Sequence, residues 1–407
     1  MISAKALLRG YKADAERCLR ELREGLRRGR TGETGGLGTL DFSLRDLAEA
    51  SMGHQMVSDA LDPRKPSSKR QLREAEEAVD STGFSNITGQ LIINSVMQAF
   101  QSEAFVASRL TPTVPTRLDG EKIPGIGKLS DPEGDNDDNL KVNEGMPYPH
   151  AGVSEDYIET PSTTKRGLIV PVTKEAIFFD RNGLLVRRCS EVGEILGLSK
   201  EKRCLDAWGG FTSGAARYKW KGTNYDTYYA AADEGSWTNK LGSNELEDWT
   251  DVEAAENLFV NLLDPNTGEP VNVGTNGMLL FTPPQLRHTA RRIVTASELR
   301  ETTNTNTVTV SPNPLSGFGI RTEFSRLFYR RMIANSVSAA NAAKRWLYGD
   351  PAKAFAYMEN WPITVTQSGM DSETAFNQDI ILRYKASERG VVAIMEPRAM
   401  VLCTGAE

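Results

Sequence analysis

Apolar positions at the start of the chain recur at spacings of three and four. Leu8, Tyr11, Ala15, Cys18 and Leu22 share one face, which predicts an amphipathic helix over residues 1–28 with the seam pattern of a coiled coil. A flexible break over Thr31–Thr39 separates it from a second helix over Leu44–Leu61, which Pro63 and Pro66 end, and a charged helix follows over Lys69–Val79. These stripes are narrow and their surroundings charged, so residues 1–80 read as a separable helical leader. Globular patterning begins near Ser81. Ile87–Leu110 fits one helix, and Thr111–Pro115 closes it into an extended arm. Gly167–Val172 reads as a strand. Asp180 is placed as the N-cap of a long helix ending near Trp208, with Leu185, Cys189, Val192 and Leu196 on one stripe and Leu205 and Trp208 resuming burial. Gly193 and Gly197 each cost about 1 kcal/mol relative to alanine inside a helix. Either another backbone or side chain packs closely there, or they are simply tolerated.

Farther along, Gly209–Asp248 is rich in Gly, Tyr and Trp and reads as a loop with short strands. Thr250 to Glu253 has capping-box spacing and opens a helix to about Leu263. Pro283 and Pro284 precede a helix over Gln285–Ser297, and Thr302–Val310 alternates like one exposed strand. Toward the C-terminus, Ile363–Thr366, Ile380–Lys385 and Val391–Met395 read as strands, with a turn at Ser387–Gly390 between the last two. Helices and antiparallel strands are segregated, so the expected class is α+β.

One segment fits no element. Between Glu121 and Thr164 the prolines Pro124, Pro132, Pro147, Pro149 and Pro161 forbid a continuous helix, and apolar residues are too sparse for a private core. A structureless loop of this length is unusual inside a compact domain. The simplest resting place is a neighbouring copy of the same chain, which points to an assembly subunit.

Composition changes this picture little. The 407 residues are 39% hydrophobic and 25% charged, enough for two or more cores, and the formal net charge of −6 argues against a surface that clings everywhere to nucleic acid. Residues 1–30 are locally basic, with nine Lys/Arg against four Asp/Glu. Asp14, Glu16, Glu21 and Glu24 interrupt that basic face, which favours a solvated or coiled-coil role over phosphate contact. Cys18, Cys189, Cys204 and Cys403 stand far apart with no CxxC pair, as expected of free thiols in a reducing compartment. The longest apolar runs fall far short of a membrane span, and no secretory signal core follows Lys5 and Arg9.

Catalytic and ligand motifs fail on spacing. Gly127-Lys128 lacks the upstream glycine and following hydroxyl of a phosphate loop, and Gly125-Ile-Gly127 lacks its third glycine. His54, His150 and His288 share no metal or catalytic spacing. Asp131–Asn139 alternates acids like a calcium loop but lacks its glycine and terminal glutamate, so it reads as a solvated acidic tip. Tyr218, Trp220, Tyr225, Tyr228 and Tyr229 could stack bases, but packing or interface use fits aromatics better. No catalytic, cofactor or metal site is expected, and the chain is not expected to be an enzyme.

Several segments, taken in order, resemble the major capsid proteins of tailed bacteriophages. Asn143-Glu-Gly145 with Pro147 and Pro149 resembles the end of that family's extended hairpin, and Lys165–Ile177 resembles the returning strand. Phe179 through Gly210 is similar to the long spine helix with its glycine end. Asp264–Gly268, Pro270, Met278–Pro283 and Leu286 are similar to the central domain, especially of Mu-type head subunits; Asn313, Pro314 and Gly317 continue the match. Trp346–Pro351, Phe376, Asp379, Arg383, Gly390 and Val391 resemble the closing strands. The likeness covers about residues 81–407, and residues 1–80 match the core fold nowhere.

The resemblance implies a division into the leader (1–80), an N-terminal arm (81–120) and an extended hairpin loop (121–172). It further implies a peripheral domain (173–245 and 352–395, with its spine helix over 181–208) and an axial domain (246–351 and 396–407). It implies a structural subunit whose hexamers and pentamers tile an icosahedral shell around double-stranded DNA, contacted non-specifically, in a virion built in the host bacterial cytoplasm. Implied partners are other copies, a scaffold, a maturation protease, a portal and decoration proteins, with no membrane and no cofactor. The acidic tip Asp135, Asp137 and Asp138, together with Glu144 and Tyr148, is expected to touch neighbouring copies, meeting basic patches such as Arg187-Arg188 or Arg330-Arg331. The leader reads as a built-in assembly director, with a retained arm as its alternative. A nanocompartment shell of encapsulin type, which shares the fold, is the alternative function, and another virion structural protein a weaker one.

Overall fold

A computed structural model of the chain describes residues 15–31, 37, 82–125, 142–148, 156–173, 184–230, 237–262, 277–304, 307–368 and 380–405. The expected helices over Leu44–Leu61 and Lys69–Val79, the Asp180 cap and the acidic tip at Asp135, Asp137 and Asp138 lie outside them. In chain order come α1 (Ala15–Thr31), α2 (Thr82–Phe100), α3 (Val106–Leu110), β1 (Thr113–Pro115), β2 (Lys122–Pro124), β3 (Tyr157–Glu159) and β4 (Thr164–Thr173). After these come α4 (Leu184–Trp208), β5 (Tyr218–Trp220), β6 (Thr223–Tyr225), β7 (Lys240–Leu241), α5 (Trp249–Val260), β8 (Leu279–Thr282) and α6 (Arg287–Thr295). The remainder holds β9 (Glu298–Asn304), β10 (Thr307–Pro312), β11 (Arg321–Phe324), α7 (Arg326–Ala334), β12 (Trp346–Gly349), β13 (Phe355–Gln367), β14 (Ile380–Ile394) and β15 (Met400–Cys403). Helices and several sheets coexist, which is the α+β class expected. The chain divides into two compact units.

The first unit comprises residues 1–105, 165–199 and 361–389. Cys18, Leu22 and Leu26 of α1 are buried, two of them on the predicted stripe and Leu26 one turn beyond it. The α1 helix lies on α2, where the Asn94 side chain donates to the Leu26 carbonyl at 2.9 Å. The glycines of α4 are where α2 comes closest: a Cβ on Gly193 would overlap the Val96 carbonyl oxygen, and one on Gly197 would lie 2.9 Å from the Phe100 carbonyl and 2.5 Å from the Phe105 ring. Close packing, rather than tolerance, therefore accounts for both glycines. The single helix expected over Ile87–Leu110 is interrupted at residues 101–105, where the Phe105 amide turns back to the Ser102 carbonyl at 3.1 Å. The turn expected at Ser387–Gly390 does not form, and those residues belong to β14. Ser387 and Glu388 are buried; the Ser387 carbonyl accepts from Thr364 of β13 at 3.3 Å, and Gly167 of β4 presses against Ala386 and Ser387 from the other side. A strand held on both edges has no room to reverse.

The second unit comprises residues 106–164, 200–360 and 390–407. Its centre is a mixed five-stranded sheet ordered β11-β8-β12-β15-β7. The pairs β11/β8 and β15/β7 are parallel, and β12 is antiparallel to both β8 and β15. Every residue of β8, β12 and β15 is buried, because both faces of the sheet are covered. Trp208 seats its ring edge-on against Phe281 at 5.1 Å and stacks on Phe355 at 6.1 Å. The α5 helix has its capping box one step earlier than the spacing suggested. Asp248 is the N-cap and accepts from the Thr250 amide at 2.9 Å, while Asp251 accepts from the Asp248 amide at 3.0 Å. A carboxylate two residues upstream outcompetes the Thr250 hydroxyl because it accepts more strongly. The helix expected over Gln285–Ser297 opens with a 3-10 turn at Pro284–Leu286. The exposed strand expected over Thr302–Val310 is instead part of a hairpin, with Thr302 opposite Val308 and Arg300 opposite Val310.

Candidate assembly surface at the base of the extended loop

The two ends of the proline-rich excursion are β2 and β3, which pair antiparallel with Ile123 opposite Ile158. The β3 strand pairs next with β5 through Ile158 and Trp220, and β5 with β6, giving a sheet ordered β2-β3-β5-β6. Thus the base of the excursion rests on its own chain, contrary to the expectation that only a neighbour could support it. The missing apolar surface comes from residues 218–237, remote in sequence. Tyr218, Tyr225, Tyr229 and Trp237 pack with ring centroids 5.5–6.5 Å apart, and Ile158 is 2% exposed. Aromatic residues in this stretch serve packing, the use preferred from sequence over base stacking.

Polar groups pin the same base. Asp119 accepts from the Thr163 amide at 2.6 Å and its hydroxyl at 3.0 Å, and the Glu121 amide donates to the Thr160 hydroxyl at 2.8 Å. Trp220 donates to Asp156, and Lys219 pairs with Glu159. That Lys219 hydrogen bond holds the Glu159 carboxyl below its ordinary value of 4.5, with the Lys219 and Lys122 charges helping. Lys122 also lies 4.2 Å above the Tyr157 ring.

Past the base, residues 142–148 project. The Met146 amide turns back to the Asn143 carbonyl at 3.0 Å, with Gly145 at φ 82° in the left-handed region. Glu144 is exposed, Met146 is 62% exposed and Tyr148 79% exposed. Large apolar side chains on so thin a projection have no internal reason to be there.

The other sequence-predicted contact residues are scattered rather than gathered. Arg187 and Arg188 are exposed on α4, and Arg188 pairs with Glu191 at 3.0 Å. Arg330 is exposed on α7. Arg331 is held inside the second unit, its Nε and Nη2 donating to the two Asp206 oxygens at 2.7 and 2.6 Å. The Asp206 hydrogen bond raises the Arg331 guanidinium above its ordinary value.

Some structural residues carried no local sequence signal. Glu201 is buried in α4 and accepts from the Ala107 and Ser108 amides at 2.9 and 2.7 Å, anchoring the start of α3. Burial pushes its carboxyl above the ordinary 4.5, against the lowering effect of those amides. Asn239 donates to the carbonyls of Thr227, Pro397 and Met400 and accepts from the Tyr229 amide. Among the described residues no group of three or more His, Cys, Asp or Glu could hold a metal ion, and no helix is long and apolar enough to cross a membrane.

A family model described as phage capsid protein matches residues 157–403. The chain belongs to the phage capsid protein family. The match opens on β3 and closes on β15, so the return leg of the hairpin, the whole of α4 and the buried sheet of this capsid protein lie within it. Solved structures similar to it include the capsid of an empty GTA particle, at 10% identity and TM-score 0.45, covering 75% of this chain and 91% of that one. A Mycobacterium phage Ogopogo chain is 14% identical, with TM-score 0.41 and coverages of 74% and 91%. The Cyanophage Pam1 capsid is 12% identical, with TM-score 0.42 and coverages of 71% and 86%. No curated protein matches the chain.

Proposed function

We propose that this capsid protein is the major head subunit of a tailed phage or prophage. Its hexamers and pentamers close into an icosahedral shell around double-stranded DNA. The observation that carries this reading is the projection itself: a loop base locked by aromatics and hydrogen bonds, presenting Met146 and Tyr148 to the outside. Such a projection suits contact with an adjacent copy. Each contact can be modest, because every subunit touches several neighbours and the assembly gains by avidity. Closed symmetry then limits growth to a particle. Glu144, Tyr148, Arg187, Arg188 and Arg330 are assigned to contacts between copies, along with the acidic tip at Asp135, Asp137 and Asp138. Arg331 would join them only at the expense of Asp206. Scaffold, protease, portal and decoration proteins would act on the assembled shell in the bacterial cytoplasm.

The leader is read as an assembly director. The lie of α1 on α2 supports this, since it ties the leader to the arm of the same subunit. Electron microscopy of the purified recombinant chain tests the main reading. Closed shells of hexamers and pentamers are expected, whereas rings or a monodisperse monomer at high concentration would reject it. The subunit mass from mature particles tests the leader: a full-length mass excludes its removal.

A further inference from the structure

Where α4 ends, Gly209 and Gly210 turn the chain beside a pocket of about 350 Å³. Its lining includes Arg217, Lys240 and Arg345 against a single carboxylate, Asp226. Arg217 Nη2 meets Asp226 at 3.2 Å, which leaves the lining with an excess of positive charge. The floor is rigid. Gly210 has φ 72°, a Cβ there would sit 2.8 Å from the Tyr228 ring, and the Tyr228 hydroxyl donates to the Trp208 carbonyl at 2.6 Å.

Two buried donors on this lining lack acceptors among the described residues. Thr227 is 2% exposed and its Oγ1 has no hydrogen-bond partner. Arg217 Nε is buried and equally without one. Buried polar groups are nearly always satisfied, so an unsatisfied hydroxyl beside an unsatisfied guanidinium NH in a cationic pocket marks a place for an acceptor. A planar oxyanion accepts from both donor types, and a guanidinium fork suits a carboxylate best.

We infer that this pocket is an oxyanion site, filled by a carboxylate side chain of a second copy. The donor segment is residues 131–139, which carries Asp131, Glu133, Asp135, Asp137 and Asp138 and no Lys or Arg. Charge complementarity favours it, and a loop whose ends are fixed at β2 and β3 can carry an acidic tip away from its own base. This inference rests on the shell reading, which brings copies together. It differs from the sequence expectation in its receiving residues, because Arg188 and Arg331 already have carboxylate partners in their own chain.

The test is cysteine crosslinking in full-length chains. One chain carries Thr212→Cys at the pocket and a second carries Asp137→Cys; the four native cysteines are buried. Mild oxidation of co-assembled particles should give disulfide-linked dimers that need both substitutions. Replacing Thr212→Cys by Arg188→Cys should give few. Dimers formed equally well through Arg188→Cys, or a link within one chain carrying both substitutions, would overturn the assignment. Charge exchange supplies the second arm. Lys240→Glu should lower particle yield roughly tenfold, with yield restored by a partner chain carrying Asp135→Lys, Asp137→Lys and Asp138→Lys. Titration with inorganic phosphate separates the sources: phosphate bound by wild type and lost in Thr227→Val, without any crosslink, would mean a free-anion site and reject the second copy. Intact particles without crosslinks would leave the shell reading standing and remove only this site. Absence of particles would remove both.

Discussion

Gly193 and Val96 meet with no side chain between them: the α4 glycine lies against the Val96 carbonyl, and a Cβ in its place would come within 3.0 Å of the Val96 Cα. Gly193→Ala gains about 1 kcal/mol of helix propensity and loses more to the clash, since overpacking costs about 1–3 kcal/mol. Urea denaturation of the variant should show a net loss of stability, with Ile195→Ala on the exposed face as the near-neutral control. A stabilised Gly193→Ala protein would refute the close approach.

The loop base separates folding from assembly. Ile158 is buried at the centre of the β2-β3-β5 pairing, so Ile158→Ala should cost about 2–4 kcal/mol and speed proteolysis between residues 121 and 164. Tyr148→Ala removes an exposed ring and should leave subunit stability within about 0.5 kcal/mol of wild type while lowering particle yield. Equal losses of stability in the two variants would contradict this division.

Arg331 and Asp206 make a two-pronged pair that lysine cannot reproduce. Arg331→Lys should destabilise the second unit by about 1–2 kcal/mol, and a double-mutant cycle with Asp206→Asn should show coupling. Additive effects would mean that the pair contributes only through its separate contacts.

Glu201 makes stability depend on pH in an unusual direction for a carboxylate. Its folded pKa is raised by burial, so the folded state holds the proton more tightly than the unfolded state. The stability from this group is fully present below its unfolded value, near 4.5, and is lost as pH rises through the folded value. Glu396, also raised by burial, acts in the same sense, while Glu159 is lowered and acts in the opposite one. Denaturation midpoints measured upward from pH 4.5 should therefore fall less steeply in Glu201→Gln than in wild type. An unchanged slope would show that Glu201 is not the group responsible.

Local pattern alone determined a good deal: the α+β class, the leader stripe at Cys18 and Leu22, the long helix ending at Trp208 and its glycines, and the ordered weak motifs shared with phage capsid proteins. All of these depend on spacings of two to seven residues or on short segments, which a linear reading can see. Only the tertiary structure decided what those segments rest on. Val96 explains Gly193 from 97 positions away, and the flanks at Thr364 and Gly167 keep Ser387–Gly390 extended where composition suggested a turn. The aromatics after Tyr218 hold a loop base that had looked unsupported in its own chain. Burial and backbone pairing are set by residues distant in sequence, so neither the capture of Arg331 by Asp206 nor the unsatisfied donors of the Gly210 pocket could be read from the chain itself.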